Sequence, residues 1–273
     1  MRKGEWDRRP QKSSGRRANA DSRARRPPPR GKFHGGSTPD GPAILYGIHT
    51  VKAALENPAR RIRRLLTTEN ALRRLREDGA PITMEPEMVR PDALAARLGP
   101  EAVHQGVLAE ADPLPSPDIE DIPEGLVLVL DQITDPHNVG AIFRSAAAFA
   151  VSAIVTTARH SPEATGVLAK SASGALELVP LVTVQNLSRG LAALKERGFL
   201  LVGLDSSGES DLTAAALRAP LALVLGAEGK GLRQLTRETC DQVVRLDLPG
   251  EIKSLNVSNA AALALYIATT RLK

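Results

Sequence analysis

Leu126-Val127-Leu128-Val129-Leu130 is an unbroken apolar run, followed at once by the polar loop Asp131-Gln132-Ile133-Thr134-Asp135-Pro136-His137-Asn138-Val139-Gly140 and then by Ala141-Ile142-Phe143-Arg144-Ser145. Consecutive apolar residues without polar alternation describe a strand buried on both faces, as in a parallel sheet with helices on either side. Similar runs recur at Ala153-Ile154-Val155, Leu181-Val182-Thr183-Val184, Phe199-Leu200-Leu201-Val202, Leu221-Ala222-Leu223-Val224-Leu225 and Val243-Val244-Arg245-Leu246. Helical stretches separate them, notably 141–150, 187–197 and 232–239. The expected class is α/β with a parallel sheet. Ligands bind at the C-terminal ends of the strands in such sheets, so chemistry is sought in the loops that follow them.

Working toward the N-terminus, 112–124 carries Pro113, Pro115, Pro117 and Pro123 among acids and reads as a stiff linker without regular structure. Before it, 43–111 reads as a small α/β domain. Ile44-Leu45-Tyr46-Gly47 is a short strand, Thr50 caps a helix through Leu55, Ile62–Leu66 is a strand, Ala71–Glu77 a helix, and Gln105–Ala109 the last strand. Between Arg60 and Arg76, the seven arginines Arg60, Arg61, Arg63, Arg64, Arg73, Arg74 and Arg76 stand against one acid, Glu69. Two readings fit that cluster: a phosphate-binding face, or a solvated helix face.

Residues 1–42 are rich in Arg, Pro, Gly and Ser, have no periodicity and are expected to be disordered. The net charge of +5 is concentrated there: residues 1–41 hold 12 Lys/Arg and 4 Asp/Glu, leaving the rest slightly acidic. Such a tail can neutralise phosphates without sequence specificity, or it can simply aid solubility. No apolar run is long enough for a membrane span, and the start Met1-Arg2-Lys3-Gly4 is not a secretory signal. The lone Cys240 excludes a disulfide framework and suits a reducing cytosol, so a cytoplasmic protein is expected. The five histidines, at 34, 49, 104, 137 and 160, lack metal-ligand spacing, and no metal is expected.

Three loops hold unusual residues. In the first, Asn138 is placed to cap the following helix, and Arg144 stands alone among small and apolar neighbours. A core ion pair or a specific anionic partner would each satisfy that arginine. The second, Gly226-Ala227-Glu228-Gly229-Lys230-Gly231, lets backbone approach a ligand closely. It is neither a Walker A loop, since Leu232 stands where lysine is needed, nor a dinucleotide fingerprint, and its Glu228 would repel phosphate. The third, Pro249-Gly250-Glu251-Ile252-Lys253-Ser254-Leu255-Asn256-Val257-Ser258-Asn259-Ala260, gathers Ser254, Asn256, Ser258 and Asn259 at the start of the last helix, more polar groups than capping requires.

Asn138-x-Gly140-x-x-x-Arg144, Gly226-x-Glu228-Gly229-x-Gly231-Leu232 and Ser254-Leu255-Asn256-Val257-Ser258-Asn259-Ala260 together resemble, in order and spacing, the three motifs of the SPOUT-class TrmH/RlmB family of RNA 2'-O-methyltransferases. The resemblance covers 125–273. Tyr46-Gly47-Ile48-His49-Thr50-Val51 and His104-Gln105-Gly106 are similar to the family's L30e-like RNA substrate-binding domain, which favours the RlmB-like branch. The resemblance implies a C-terminal trefoil knot, a homodimer, and S-adenosylmethionine held by Gly226, Leu246 and Leu255. It implies catalytic roles for Arg144, Asn138, Glu228, Ser254 and Asn256, and as substrate a guanosine of 23S rRNA in the peptidyl-transferase region. The long basic tail departs from the compact enzymes of that group, which leaves a precursor particle, or a different site, open as the target.

The family proposals have Arg144 activate the ribose hydroxyl. A guanidinium rarely deprotonates in proteins, so stabilisation of the developing oxyanion is the role expected here. Two alternatives stay open: a tRNA or different rRNA 2'-O-methyltransferase, and a non-catalytic ribosome-assembly RNA-binding protein.

Overall fold

The computed structural model describes residues 41–159, 161–164 and 166–272. The expectation of a disordered basic tail falls, apart from Gly41 and Pro42, outside these residues. In chain order the elements are β1 (Ala43–Tyr46), α1 (Ile48–Glu56), β2 (Ile62–Thr67), α2 (Glu69–Glu77), β3 (Glu87–Met88), α3 (Pro91–Leu98), β4 (Val107–Ala111), β5 (Leu126–Asp131), α4 (Pro136–Ala148), β6 (Ala153–Thr157), α5 (Gly166–Ala172), β7 (Leu181–Val184), α6 (Leu187–Glu196), β8 (Leu200–Leu204), β9 (Ser210–Asp211), β10 (Leu221–Gly226), α7 (Gln234–Thr239), β11 (Gln242–Arg245) and α8 (Val257–Arg271).

Two sheets result. The first, ordered β1-β4-β2-β3, has β4 antiparallel to both neighbours and β3 parallel to β2. The second has seven strands in the order β7-β6-β5-β10-β8-β11-β9 and is parallel throughout. The α/β class and the parallel sheet are as expected, with β9 added at the edge.

With both faces of the sheet covered, period-two alternation leaves β10 without polar side chains and β5 without one before its terminal Asp131. Leu126, Leu128 and Leu130, with Leu221, Leu223 and Leu225, face Ile142, Phe143 and Ala146 of α4 and Ala261, Ala264 and Leu265 of α8. Val127, Val129, Ala222 and Val224 face the other way, onto Leu187, Leu191 and Leu194 of α6. Each fully buried Leu or Val contributes about 1.5–3 kcal/mol, so a polar residue on either face would be costly.

Four local expectations are corrected. Thr50 does not cap α1, which begins two residues earlier; its hydroxyl donates instead to the Ala169 carbonyl (3.2 Å). Asn138 does not cap α4: Asp135 does, accepting from the His137 amide, with Pro136 as the first helical residue. The elements β3, α3 and α5 lie in stretches read without structure. Finally, the segment 112–124 is not featureless, since Ile119–Asp121 forms a 3₁₀ turn.

That turn buries Ile119 and Ile122 in the cluster of Val127, Val182 and Leu191. Arg197 donates to the carbonyls of both isoleucines and lies 5.5 Å from the Phe199 ring centroid. Ser116 Oγ accepts from the Thr183 amide (2.9 Å), fastening the segment to β7 at the sheet edge. Among the described residues no helix is long and apolar enough to cross a membrane.

Candidate active site

The C-terminal ends of β5, β10, β8 and β11 lie side by side, and their loops converge there. Gly226 ends β10. A Cβ on it would fall 2.2 Å from the carbonyl carbon of Gly231 and 2.5 Å from the Leu232 amide, both backbone, so only glycine fits. The chain beyond turns back on itself through an Ala227–Gly231 bridge, with Gly229 and Gly231 in the left-handed region (φ 73° and 64°). This hairpin carries Glu228 at its tip.

Glu228 Oε1 accepts the Val257 amide (2.8 Å), one of the first-turn donors of α8 that has no helical partner. Asn256 caps the same helix, its Oδ1 accepting from the Ser258 amide (3.0 Å) and hydroxyl (2.6 Å). Its Nδ2 donates to Asn138 Oδ1 (2.9 Å) on α4. Three of the expected residues, far apart in sequence, thus join in one network at the start of α8. Ser254 and Leu255 are exposed in the loop just before it, Leu246 is partly buried against the core, and Gly226 is half-buried.

Arg144 does not join that network. It lies six residues beyond Asn138, about 120° around α4 at 3.6 residues per turn, and is exposed. Among the described residues no ion pair or hydrogen bond holds its guanidinium. The core ion pair considered for it is absent among the described residues.

Two carboxylates that sequence reasoning passed over organise these loops. Asp131, fully buried at the end of β5, accepts from Arg233 Nε (2.6 Å) and from the Arg233 amide (3.1 Å). Asp205, 9% exposed beyond β8, is opposed by burial, which would raise its pKa. Hydrogen bonds from the Leu232 amide, the Ser207 amide and hydroxyl, and Arg237 outweigh that and hold it down at about 2. A Cβ on Gly231 would fall 2.3 Å from Asp205 Oδ2, so the aspartate and the glycine hairpin are mutually fitted. The only local hint was a carboxylate placed directly after each apolar strand.

The arginine cluster is dispersed by the fold. Arg60 is corrected outright. Its side chain is 2% exposed and paired with Glu177, itself 3% exposed, at 2.7 Å, so it presents nothing to a ligand. The other acids absent from the linear window arrive through the fold. Asp112 pairs with Arg63 and, at 4.0 Å, with Arg61; Glu87 and Glu110 pair with Arg64 (2.7 and 3.2 Å). Arg73 and Arg74 reach Glu77 and Asp78 only at 3.8 Å, and Arg76 is exposed with no partner among the described residues. Exposed pairs of this kind contribute about 0.2–1 kcal/mol each, too little to prevent exchange for a phosphate.

Comparison with known proteins identifies the family. Residues 125–266 match the SpoU rRNA Methylase family, and residues 44–117 match the family described as RNA 2'-O ribose methyltransferase substrate binding. A Ralstonia nicotianae protein named 23S rRNA (guanosine-2'-O-)-methyltransferase RlmB is 39% identical over 235 residues, covering 82% of this chain and 93% of that protein. One of the same name from Vibrio cholerae is 37% identical over 239 residues, covering 82% and 94%. Among solved structures, the SpoU methyltransferase AviRb of Streptomyces viridochromogenes in complex with the cofactor AdoMet superposes with a TM-score of 0.71 at 27% identity, covering 85% of this chain and 90% of that one.

Proposed function

This chain belongs to the SpoU rRNA methylase family, and we propose on that premise that it methylates a ribose 2'-hydroxyl of RNA, with S-adenosylmethionine as donor and a guanosine of 23S rRNA as target. The observation that carries the reading is the network of Asn138, Asn256 and Glu228 beside a hairpin closed so tightly at Gly226 that no side chain fits. A tight backbone turn at strand ends is what an adenosyl group needs in order to be held by main-chain groups. Gly226, Leu246 and Leu255 are the residues we assign to that contact.

Bound there, S-adenosylmethionine supplies an electrophilic methyl carbon. The residues of this chain must then place a ribose oxygen in line with it and favour its charge as the proton leaves to water. Arg144 suits this role because its N–H donors are unclaimed among the described residues and face solvent, open to the ribose oxygen and an adjacent phosphate. The Asn138–Asn256 bond holds α4 against the start of α8, Glu228 ties the hairpin after β10 to the same helix start, and Ser254 lies in the loop just before it.

The same reading divides the chain into a basic tail (1–42), an RNA substrate-binding domain (43–111), a connection (112–124) and a methyltransferase domain (125–273). It includes a trefoil knot in the last of these, a homodimer, action on rRNA or a precursor particle, and a cytoplasmic location. Exposed Leu263 and Tyr266 on α8 support the homodimer, being apolar surface that a second copy could cover.

The test is tritiated methyl transfer to 23S rRNA with the modified nucleotide mapped. The wild-type protein should label one guanosine ribose, and Arg144→Ala should lose about 10²–10³-fold in rate with cofactor affinity near normal. Labelling of a tRNA alone would overturn the substrate, and full turnover by Arg144→Ala would overturn the role of the arginine.

A further inference from the structure

Lys170, on α5, reaches from the methyltransferase half to the first sheet's half of the molecule. Its Nζ donates to Gln105 Oε1 (2.8 Å), an oxygen that also accepts the Ile48 amide (3.1 Å). Its side chain lies across Gly47: a Cβ there would be 2.4 Å from Nζ and 2.9 Å from Cδ. Gln105 itself adopts φ +55°, in the left-handed region, so the loop that presents its amide to the lysine is held in a conformation uncommon for a residue with a side chain.

This ammonium has a hydrogen-bond partner but no counter-charge among the described residues. It is partly buried, desolvation lowers its pKa, and among the described residues no carboxylate lies within ion-pair range of it. A neutral amide oxygen fills one of three donors. Its remaining donors are open to solvent and to an anionic ligand, with which they would form charge-assisted hydrogen bonds.

Its position suggests the anion. The next residue, Ser171, lies 3.2 Å through its hydroxyl from His137 Nδ1 on α4. His137 and Arg144 are seven residues apart, so they share one face of α4, about 10 Å apart along its axis, and both are exposed. On its other side, Gln105 forms a wall of a cleft with His104, Gly106, Thr68, Asn70 and Arg74. Lys170 therefore stands between the outward face that bears Arg144 and that cleft.

We propose that Lys170 binds a backbone phosphate of the RNA substrate, at the junction between the half that carries Arg144 and the half built on the first sheet. The contact rests on the methyltransferase reading and adds to it a fixed point on the strand beyond the target ribose. Gln105 holds the ammonium in place until the phosphate arrives.

The experiment uses the full chain, a fluorescent 23S rRNA fragment and anisotropy titrations across a range of salt concentrations. Lys170→Gln should weaken binding and reduce the slope of log affinity against log salt by about 0.7–0.9, the loss of one phosphate contact, while Lys170→Arg retains it. KM for RNA should rise several-fold, with turnover at saturating RNA and cofactor affinity unchanged. An unchanged slope in Lys170→Gln overturns the proposal, including when turnover or melting temperature falls, since that pattern marks a purely internal latch to Gln105. Methyl transfer by the wild-type protein keeps the two readings separable: transfer with an unchanged slope overturns the contact alone, and no transfer with a reduced slope overturns the enzymatic reading alone.

Discussion

Glu177→Gln tests whether Arg60 is structural or ligand-binding. In the fold, Glu177 accepts from Arg60 Nε (3.1 Å to both oxygens), from Arg60 Nη2 (2.7 Å) and from Asn57 Nδ2 (2.7 Å). Arg60 Nη1 donates to the Asp112 carbonyl (2.9 Å). With side chains 2% and 3% exposed, water cannot replace either partner. Neutralising the carboxylate leaves a buried guanidinium uncompensated, and such single removals cost about 3–5 kcal/mol. For a folded body of this size each kcal/mol shifts the melting temperature by roughly 2–4 °C, so a fall of about 10 °C is expected. Arg60→Met should cost a similar amount. The Arg60→Met/Glu177→Leu pair should recover much of the loss, since it removes both charges from the interior. Urea denaturation of the four proteins, with Glu177→Leu added to close the cycle, measures these losses and the recovery. A loss under about 1 kcal/mol for either single variant, or weaker RNA binding with unaltered stability in Arg60→Met, would refute the buried-pair reasoning.

Two further outcomes follow from the site. Gly226→Ala forces a methyl against backbone on the opposite arm of the hairpin, so calorimetry should find S-adenosylmethionine binding lost, with a stability cost of about 1–3 kcal/mol. Cofactor affinity like wild type would remove Gly226 from the pocket. The Asp205 carboxyl is held at about 2, below its ordinary 3.8, so its contribution is fully present above about pH 4 and drains away as pH falls toward 2. The stability gap between wild type and Asp205→Asn, from urea melts across pH, should shrink by about 2 kcal/mol over that window. A gap independent of pH would contradict the depressed pKa.

What the sequence disclosed depended on how local each determinant was. The strands were legible because β5 and β10 meet apolar neighbours on both faces, which leaves an unbroken run as their mark. The Asn138, Glu228 and Asn256 network was legible only as a list of residues. Their hydrogen bonds join positions up to 118 apart, and periodicity carries no record of that. The exposure of Arg144 could have been read: at helical spacing it shares a face with His137 and Ala148, both exposed, although its immediate neighbours are small or apolar. Arg60 could not, because its partner Glu177 lies 117 residues away. The helix start at Pro136 was misplaced because Asn138 resembles a cap as well as Asp135 does, and only the proline between them decides it.

The fastening of 112–124 changes where this molecule could be divided. Polypeptide between two sheets is usually treated as spare length, free to be trimmed, extended or exchanged for glycine and serine. Here Ile119 and Ile122 fill the face made by Val127, Val182 and Leu191, and Arg197 spends its guanidinium on their carbonyls. A fragment begun at Gly125 would discard a piece of its own interior and open that face to water. The natural seam lies upstream of the turn, on the N-terminal side of Ser116, and any recombination of the two halves between related chains would have to carry the turn along with the larger sheet.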